Sequence, residues 1–299
     1  MRFVTFRFDG FDRAGLLEGD GSKPEDRIID LAHSKMRDAL LGCEPQVASF
    51  LAFGWDRIVA SLRAHCKWED AFIALGKVQL LAPLPQPKRI FGIAHNYRDA
   101  LAERGMPLPT EPVLFMKEGA TVIGPNAPVV LPAGVGGVTY EAEVAAVIGR
   151  AAKDVKFENA LDHVAAYGVF NDVSASEMIR REGSLERGKN LPTFGPFGPF
   201  LATVDEIPDP QALDIGLTID GHSFQNSSTS RMLFSVADLI SILSHQTELL
   251  PGDVIATGTP AGVAPVQKPP TWIRSGTTMT AWVENLGTLN NPVIDGPSL

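Results

Sequence analysis

Cysteine is nearly missing: Cys43 and Cys66 are the only two in 299 residues. Two thiols in a chain of this length cannot build the disulfide framework of a secreted domain, so a reducing, cytoplasmic setting is expected. Basic residues are also scarce, 26 Lys and Arg against 35 Asp and Glu, for a formal net charge of -9. That balance repels phosphate backbones and anionic lipid. The densest basic stretch, Arg180, Arg181, Arg187 and Lys189, is interleaved with Glu177, Glu182 and Glu186. Neither nucleic acid nor a membrane is an expected partner. No run reaches the roughly 18 apolar residues a membrane span needs, and the opening MRFVTFRFDG lacks the apolar centre of a signal peptide.

What is present is ordinary for a globular protein: 44% hydrophobic and 20% charged residues. A chain this long can bury roughly three quarters of the surface it exposes when unfolded. The first 80 or so residues combine a strand-like opening (Phe3, Val4, Phe6, Phe8) with acidic turns and two helical stretches, Ser34 to Leu41 and Trp55 to His65. LLAPLPQPKRI follows, and its prolines forbid helix and favour an extended connector. A small N-terminal α/β domain over residues 1–82 and a larger one over 83–299 are therefore expected. From Arg89 onward short apolar or alternating runs dominate, punctuated by Gly, Pro and Asn, with helices expected at Tyr97 to Arg104, Phe157 to His163 and Val236 to Glu248. Strands without regularly alternating long helices argue for an α+β, β-rich fold, a mixed sandwich or roll, over a doubly wound parallel sheet.

YEAEVAAVIG is the most informative segment. Alternation along a strand puts Glu141 and Glu143 on one face about 7 Å apart, with Ala142 and Val144 on the other. Burying two carboxylates in an apolar strand costs several kcal/mol each unless a cation neutralises them. The bland alternative for a bare E-x-E is a solvated face on a half-exposed strand. Against it stands HVAAYGVFNDV, an apolar run that ends at Asp172, 29 residues after Glu143. Asn171-Asp172 alone would read as a turn. Taken together the three carboxylates form an oxygen-only ligand set suited to Mg²⁺, Mn²⁺ or Ca²⁺ rather than Zn²⁺, with positions left for substrate and water. PGDVIATGTPAGV brackets Thr257, Thr259 and Pro260 with Gly258 and Gly262, and small residues there let backbone N–H groups approach an anion. The loop lacks the lysine of a nucleotide-binding P-loop, and on its own it fits a tight structural turn better than an anion site.

The ordered set GIAHNYRDALAERG, GPNAPVVLP, YEAEVAAVIG, YGVFNDVSA, GKNLPTFGPFGP and LLPGDVIATGTPAGV resembles the fumarylacetoacetate hydrolase superfamily over roughly residues 89 to 299. The resemblance implies a mixed β-sandwich roll of that family's C-terminal type, usually a homodimer, acting on small oxo-acids by hydrolysis, decarboxylation, isomerisation or hydration. It places Glu141, Glu143 and Asp172 at a Mg²⁺ or Mn²⁺ site, and Lys189 at the active-site lysine. Thr259 falls in the G-T-P loop, where Gly258 and Thr259, with Tyr97, become expected substrate contacts. Such a site would polarise a 2-oxo or 1,3-dicarbonyl acid and stabilise enolate charge, to which Lys189 adds.

Three positions depart from the family pattern. Ala100 stands where many members carry the histidine of N-Y-x-x-H-x-x-E; it cannot take a proton, which leaves Glu103 as a candidate general base and His95 as a possible substitute imidazole. Ser176 occupies a position that is often arginine, and Pro192 one that is often aspartate. Carbon–carbon bond hydrolysis of the acylpyruvate type or decarboxylation is the leading expectation, followed by a hydratase, dehydratase or tautomerase and then by a catalytically silent metal- and ligand-binding protein. The remaining histidines, His33, His65, His163, His222 and His245, sit in no catalytic motif.

Overall fold

The computed structural model describes residues 1–65 and 71–298; Cys66 lies outside them. Its backbone is a 12-stranded sheet packed against a 5-stranded one. The large sheet runs Phe72–Ala74, Arg27–Asp30, Phe11–Glu18, Arg2–Phe8, Gly195–Thr203, Val164–Asn171, Ala142–Ile148, Val254–Ala256, Ile90–Ala94 and Val113–Lys117. Two short strands, Gln79–Leu81 and Val122–Ile123, join it on the flanks of Arg2–Phe8 and Gly195–Thr203. The smaller sheet runs His222–Ser228, Asp214–Ile219, Thr278–Val283, Gly287–Ser298 and Val129–Ala133. Most neighbours are antiparallel, but Val254–Ala256 lies parallel to Ile90–Ala94, Val122–Ile123 to Gly195–Thr203, and Gly287–Ser298 to Val129–Ala133. This is the β-rich α+β architecture expected from the strand pattern.

The two strands that carry the carboxylates are buried along their whole length, which explains their Ala, Val and Ile content. Period-2 alternation divides their side chains between two cores. Ala142, Val144, Ala146 and Ile148 pack with Leu217, Met279 and Ala281 of the small sheet. Ala145 and Val147 face the other way, toward a core shared with Phe3, Phe50 and Trp55. Glu141 and Glu143 continue this odd-numbered row.

That second core is closed by the helix Val47–Ala64, whose buried residues Val47, Phe50, Leu51, Trp55, Ile58, Val59 and Leu62 follow the three-to-four spacing of an amphipathic stripe. Phe3 meets the rings of Phe50 at 6.2 Å and Trp55 at 4.5 Å, so each large side chain contributes on the order of 1.5–3 kcal/mol of burial. The helix begins eight residues before the Trp55 start expected from sequence, and it kinks at Gly54. Over the Ser34 to Leu41 stretch only the 3₁₀ turn Ser34–Met36 forms. Met36, Ala39 and Leu40 are buried there, but Leu41 turns left-handed at a φ of 54°, and so short a stretch does not offset the cost of nucleating a helix. Phe157–His163 is likewise 3₁₀, with Ala160 its only buried residue. The expected helices near Tyr97 and Val236 are present as Arg98–Glu103 and Val236–Gln246, the latter started by a Ser235–Asp238 capping box. Among the described residues no helix is long and apolar enough to cross a membrane.

Candidate active site

Strand register explains why three carboxylates meet. Ala142 pairs with Asn171 across antiparallel strands, so the next step of the ladder sets Glu141 opposite Asp172, and Asp172 N donates to Glu141 O at 2.9 Å. On the same face Glu143 lies opposite Phe170. Oxygens of Glu141, Glu143 and Asp172 come within 4.8 Å of one another. Glu143 and Asp172 are buried and Glu141 is half-buried. Asn171 Oδ1 accepts from Glu141 N at 2.9 Å, and Gly258 N donates to Glu143 Oε2 at 2.9 Å.

Two lysines answer these charges. Lys189 Nζ donates to Glu141 Oε2 and to Ser174 Oγ, each at 2.9 Å, and to Asp172 Oδ2. Lys117 Nζ stands 2.9 Å from Asp172 Oδ1 and donates to the Lys189 carbonyl. Burial alone would lower Lys189, but Asp172, Glu141 and Glu143 outweigh it and hold its ammonium up. Burial lowers Lys117, and Asp172 only partly offsets that. Desolvation would raise Asp172, yet Lys117 and Lys189 hold it below the usual carboxylate range. Glu143 goes the other way: burial, then Asp172 and Glu141, push it well above that range.

This donor set fits a hard divalent cation. Asp172 Oδ1 is buried and, despite its ion-pair contact with Lys117, receives no aligned hydrogen bond. Glu143 sits beside two other carboxylates with a single backbone N–H for support. Both features leave oxygen lone pairs that a cation would satisfy. Glu141, Glu143 and Asp172 are therefore the residues that could hold such a cation.

A cavity of about 310 Å³ opens onto this cluster, lined by Glu141, Lys189, His95, Thr259 and Arg104 among polar residues. Ala100 and Ser176 also line it, so two of the positions that depart from the family pattern face the candidate substrate space. His95 ends the strand Ile90–Ala94 with a φ of 60°, a left-handed conformation uncommon outside glycine and often found at functional sites. Burial first, then Arg104 and Lys189, keep its imidazole below the ordinary histidine range.

Of the other expected site residues Thr259 lines this cavity, whereas Gly258, Tyr97 and Glu103 do not. Thr259 Oγ1 accepts from Gln225 Nε2 at 2.7 Å. Gly258 has a φ of 92°, and a Cβ there would come within 2.7 Å of Ile93 O and 2.9 Å of Asn96 Cβ. Only glycine fits that close approach. Tyr97 is fully buried with no partner among the described residues for its hydroxyl, which burial and Glu143 push well above its usual range. Glu103 accepts from Gly262 N at 2.9 Å, which engages its carboxylate in holding the G-T-P loop to the helix Arg98–Glu103.

Sequence reasoning missed Lys117, Arg104 and Gln225. Lys117 closes PVLFMK, an apolar run ended by a charge, the same signal that exposed Asp172. Arg104 directly follows the candidate base Glu103. Gln225 comes from the small sheet and joins the two motifs: it accepts from Ala142 N at 2.9 Å and donates to Thr259 Oγ1 and Pro260 O.

Comparison with known proteins matches residues 89–294 to the family profile described as fumarylacetoacetate (FAA) hydrolase C-terminal. A Burkholderia lata protein provisionally named as a hydrolase is 49% identical over 292 residues, 96% of each chain. Among solved structures, a fumarylacetoacetate hydrolase from Exiguobacterium antarcticum superposes with a TM-score of 0.82 at 30% identity, covering 99% of this chain and 100% of that one. A 2-hydroxyhepta-2,4-diene-1,7-dioate isomerase from Mycobacterium marinum gives a TM-score of 0.77 at 30% identity, covering 99% and 98%.

Proposed function

This chain belongs to the fumarylacetoacetate hydrolase family, and from that premise we propose that it is a divalent-metal-dependent enzyme acting on a small 2-oxo acid or 1,3-dicarbonyl acid. The proposed reaction is hydrolysis of a carbon–carbon bond or decarboxylation. The observation that carries this reading is the convergence of Glu141, Glu143 and Asp172 at a cavity that Lys189 and His95 share. Mg²⁺ or Mn²⁺, held by the three carboxylates, would act as a Lewis acid on a carbonyl oxygen.

The chain's own residues supply the rest. Lys189, locked by Asp172, Glu141 and Ser174, presents a fixed ammonium where negative charge develops on the substrate, and it needs no reorganisation to do so. His95, neutral and at the cavity wall, is the better placed proton acceptor, because Glu103 does not line the cavity and turns one carboxylate oxygen to Gly262 N. Gln225 orients the Thr259 hydroxyl at the same cavity, and Gly258 N fixes Glu143.

A second reading, isomerase or hydratase, is favoured by one feature. Ala100 leaves no imidazole where many relatives place one, and protonating or hydrating an enolate does not require that group. A cytoplasmic homodimer completes the proposal, and light scattering on the purified chain tests its oligomeric part. The deciding experiment is a turnover screen with acylpyruvates, oxaloacetate and 2-oxo-3-deoxy sugar acids, with and without Mg²⁺ or Mn²⁺, beside a Glu141→Ala/Glu143→Ala variant. Metal-dependent pyruvate release that the variant loses supports the lyase or hydrolase. Isomerised or hydrated product without cleavage supports the second reading. Metal binding without any turnover would make this a silent binding protein.

A further inference from the structure

Arg104 has a charge that the protein itself does not answer. It lies just beyond the helix Arg98–Glu103 and lines the 310 Å³ cavity. Of the other cations at that wall, Lys189 is paired with Glu141 and Asp172, while Arg180, largely exposed, has Glu177 at 3.7 Å. Among the described residues Arg104 has no carboxylate partner. Its Nε is buried without any hydrogen bond, and its one polar side-chain contact is Nη1 at 3.5 Å from Nδ1 of His95. A buried guanidinium nitrogen with no acceptor is costly, and such groups in folded proteins call for a missing partner.

We propose that Arg104 binds a second carboxylate on the substrate, making this a site selective for diacids over monoacids. The proposal rests on the oxo-acid reading above. A planar guanidinium fork matches a carboxylate in bidentate fashion, which a lone lysine ammonium cannot do. Ile93, Ile179, Leu185 and Pro265 give the same cavity apolar walls suited to the carbon chain joining two anionic ends. His95 Nδ1 is 3.5 Å from Arg104 Nη1 at the same cavity that Glu141 lines, so a ligand running from Arg104 to the carboxylate cluster passes the candidate base. Ala100, with only a methyl group in the cavity, leaves that path open.

The test measures binding by calorimetry to the Mn²⁺-loaded full-length protein, using matched pairs: 2-oxoadipate against 2-oxohexanoate, 2-oxoglutarate against 2-oxopentanoate, and 2-oxopimelate against 2-oxoheptanoate. At one length or more the diacid is expected to bind about tenfold or more tightly than its partner, as for a hydrogen bond to a charged group. In Arg104→Met that ratio falls to near one, and in Arg104→Lys it is partly kept. The Mn²⁺ affinity of each variant checks that it is folded. No preference in the native protein at any length, or a preference that survives Arg104→Met, overturns the proposal. Monoacid binding that still depends on Mn²⁺ and is lost in Glu143→Gln leaves the oxo-acid reading standing in that case. If neither class of acid binds, both fall together.

Discussion

Lys117 Nζ lies 2.9 Å from Asp172 Oδ1, so the innermost of the three candidate metal ligands is already held by a cation that belongs to the protein. Both side chains are fully buried. Without Lys117 only Lys189 remains to balance Asp172 and Glu141, so Lys117→Met is expected to destabilise the metal-free protein by about 1–3 kcal/mol, less than breaking an isolated buried pair. The same change removes a positive charge that competes with a bound cation. Saturating Mn²⁺ should therefore narrow the stability gap to the native chain. Urea unfolding of both proteins, with and without Mn²⁺, reads this directly, and equal metal-free stabilities would sink it.

Glu143→Gln separates the charge of the cluster from its shape. Glutamine keeps an acceptor for Gly258 N and relieves the crowding of Glu143 by Asp172 and Glu141. The metal-free variant should melt at or above the native temperature. Mn²⁺ at one hundred times its Kd should stabilise the native protein by about 2.7 kcal/mol, and that gain should vanish with EDTA and be absent from the variant. Thermal melts of the two proteins decide it; a Mn²⁺ shift of native size in Glu143→Gln would remove Glu143 from the ligand set.

How far the site could be read in advance depends on whether its signals were local. Glu141 and Glu143 show themselves by alternation within one strand, and Asp172 by ending an apolar run on the strand that pairs with it. Lys117 ends a similar run but carries one charge with no partner nearby in sequence, so it reads as a solvated strand end; its mate is 55 residues away. Gln225 could not be placed, because nothing in HSFQNSS reveals that the small sheet reaches over the E-x-E strand. The helix Val236–Gln246 was legible from its apolar spacing. The start of Val47–Ala64 was not, because Gly54 interrupts the stripe and hides its continuity.

Gly258 and Gly105 make a matched pair for testing the G-T-P loop. Both have positive φ, 92° and 63°, but a Cβ on Gly105 would meet nothing within 4 Å, whereas one on Gly258 would press on Ile93 O and Asn96 Cβ. Gly105→Ala should cost only the backbone strain, about 1 kcal/mol. Gly258→Ala should cost more, roughly 1–3 kcal/mol beyond that, and should weaken Mn²⁺ binding by displacing the N–H that fixes Glu143. Chemical denaturation and Mn²⁺ titration of the two variants test both parts. Equal costs would mean the loop yields without disturbing the site.

His95 gives the pH dependence its sign. Burial is the first cause of its lowered pKa, and Arg104 and Lys189 add to it; Glu141 and Arg180 are the other ionisable groups at the same cavity. The imidazole therefore stays neutral, and able to accept a proton, below the ordinary histidine value of about 6.5. As pH falls, the unfolded chain takes up its proton at this position before the folded one. The stability that His95 contributes is thus fully present above about pH 6.5 and is lost as pH drops through its folded pKa. Replacing Arg104 by Met removes one of the cations, so the imidazole should titrate at higher pH in that variant. NMR titration of the His95 ring in both proteins checks the order, and His95→Asn should lower turnover by about 10²–10⁴-fold if His95 is the base. A native His95 that titrates at or above 6.5, or an Asn variant with undiminished turnover, would return the search for the base to Glu103.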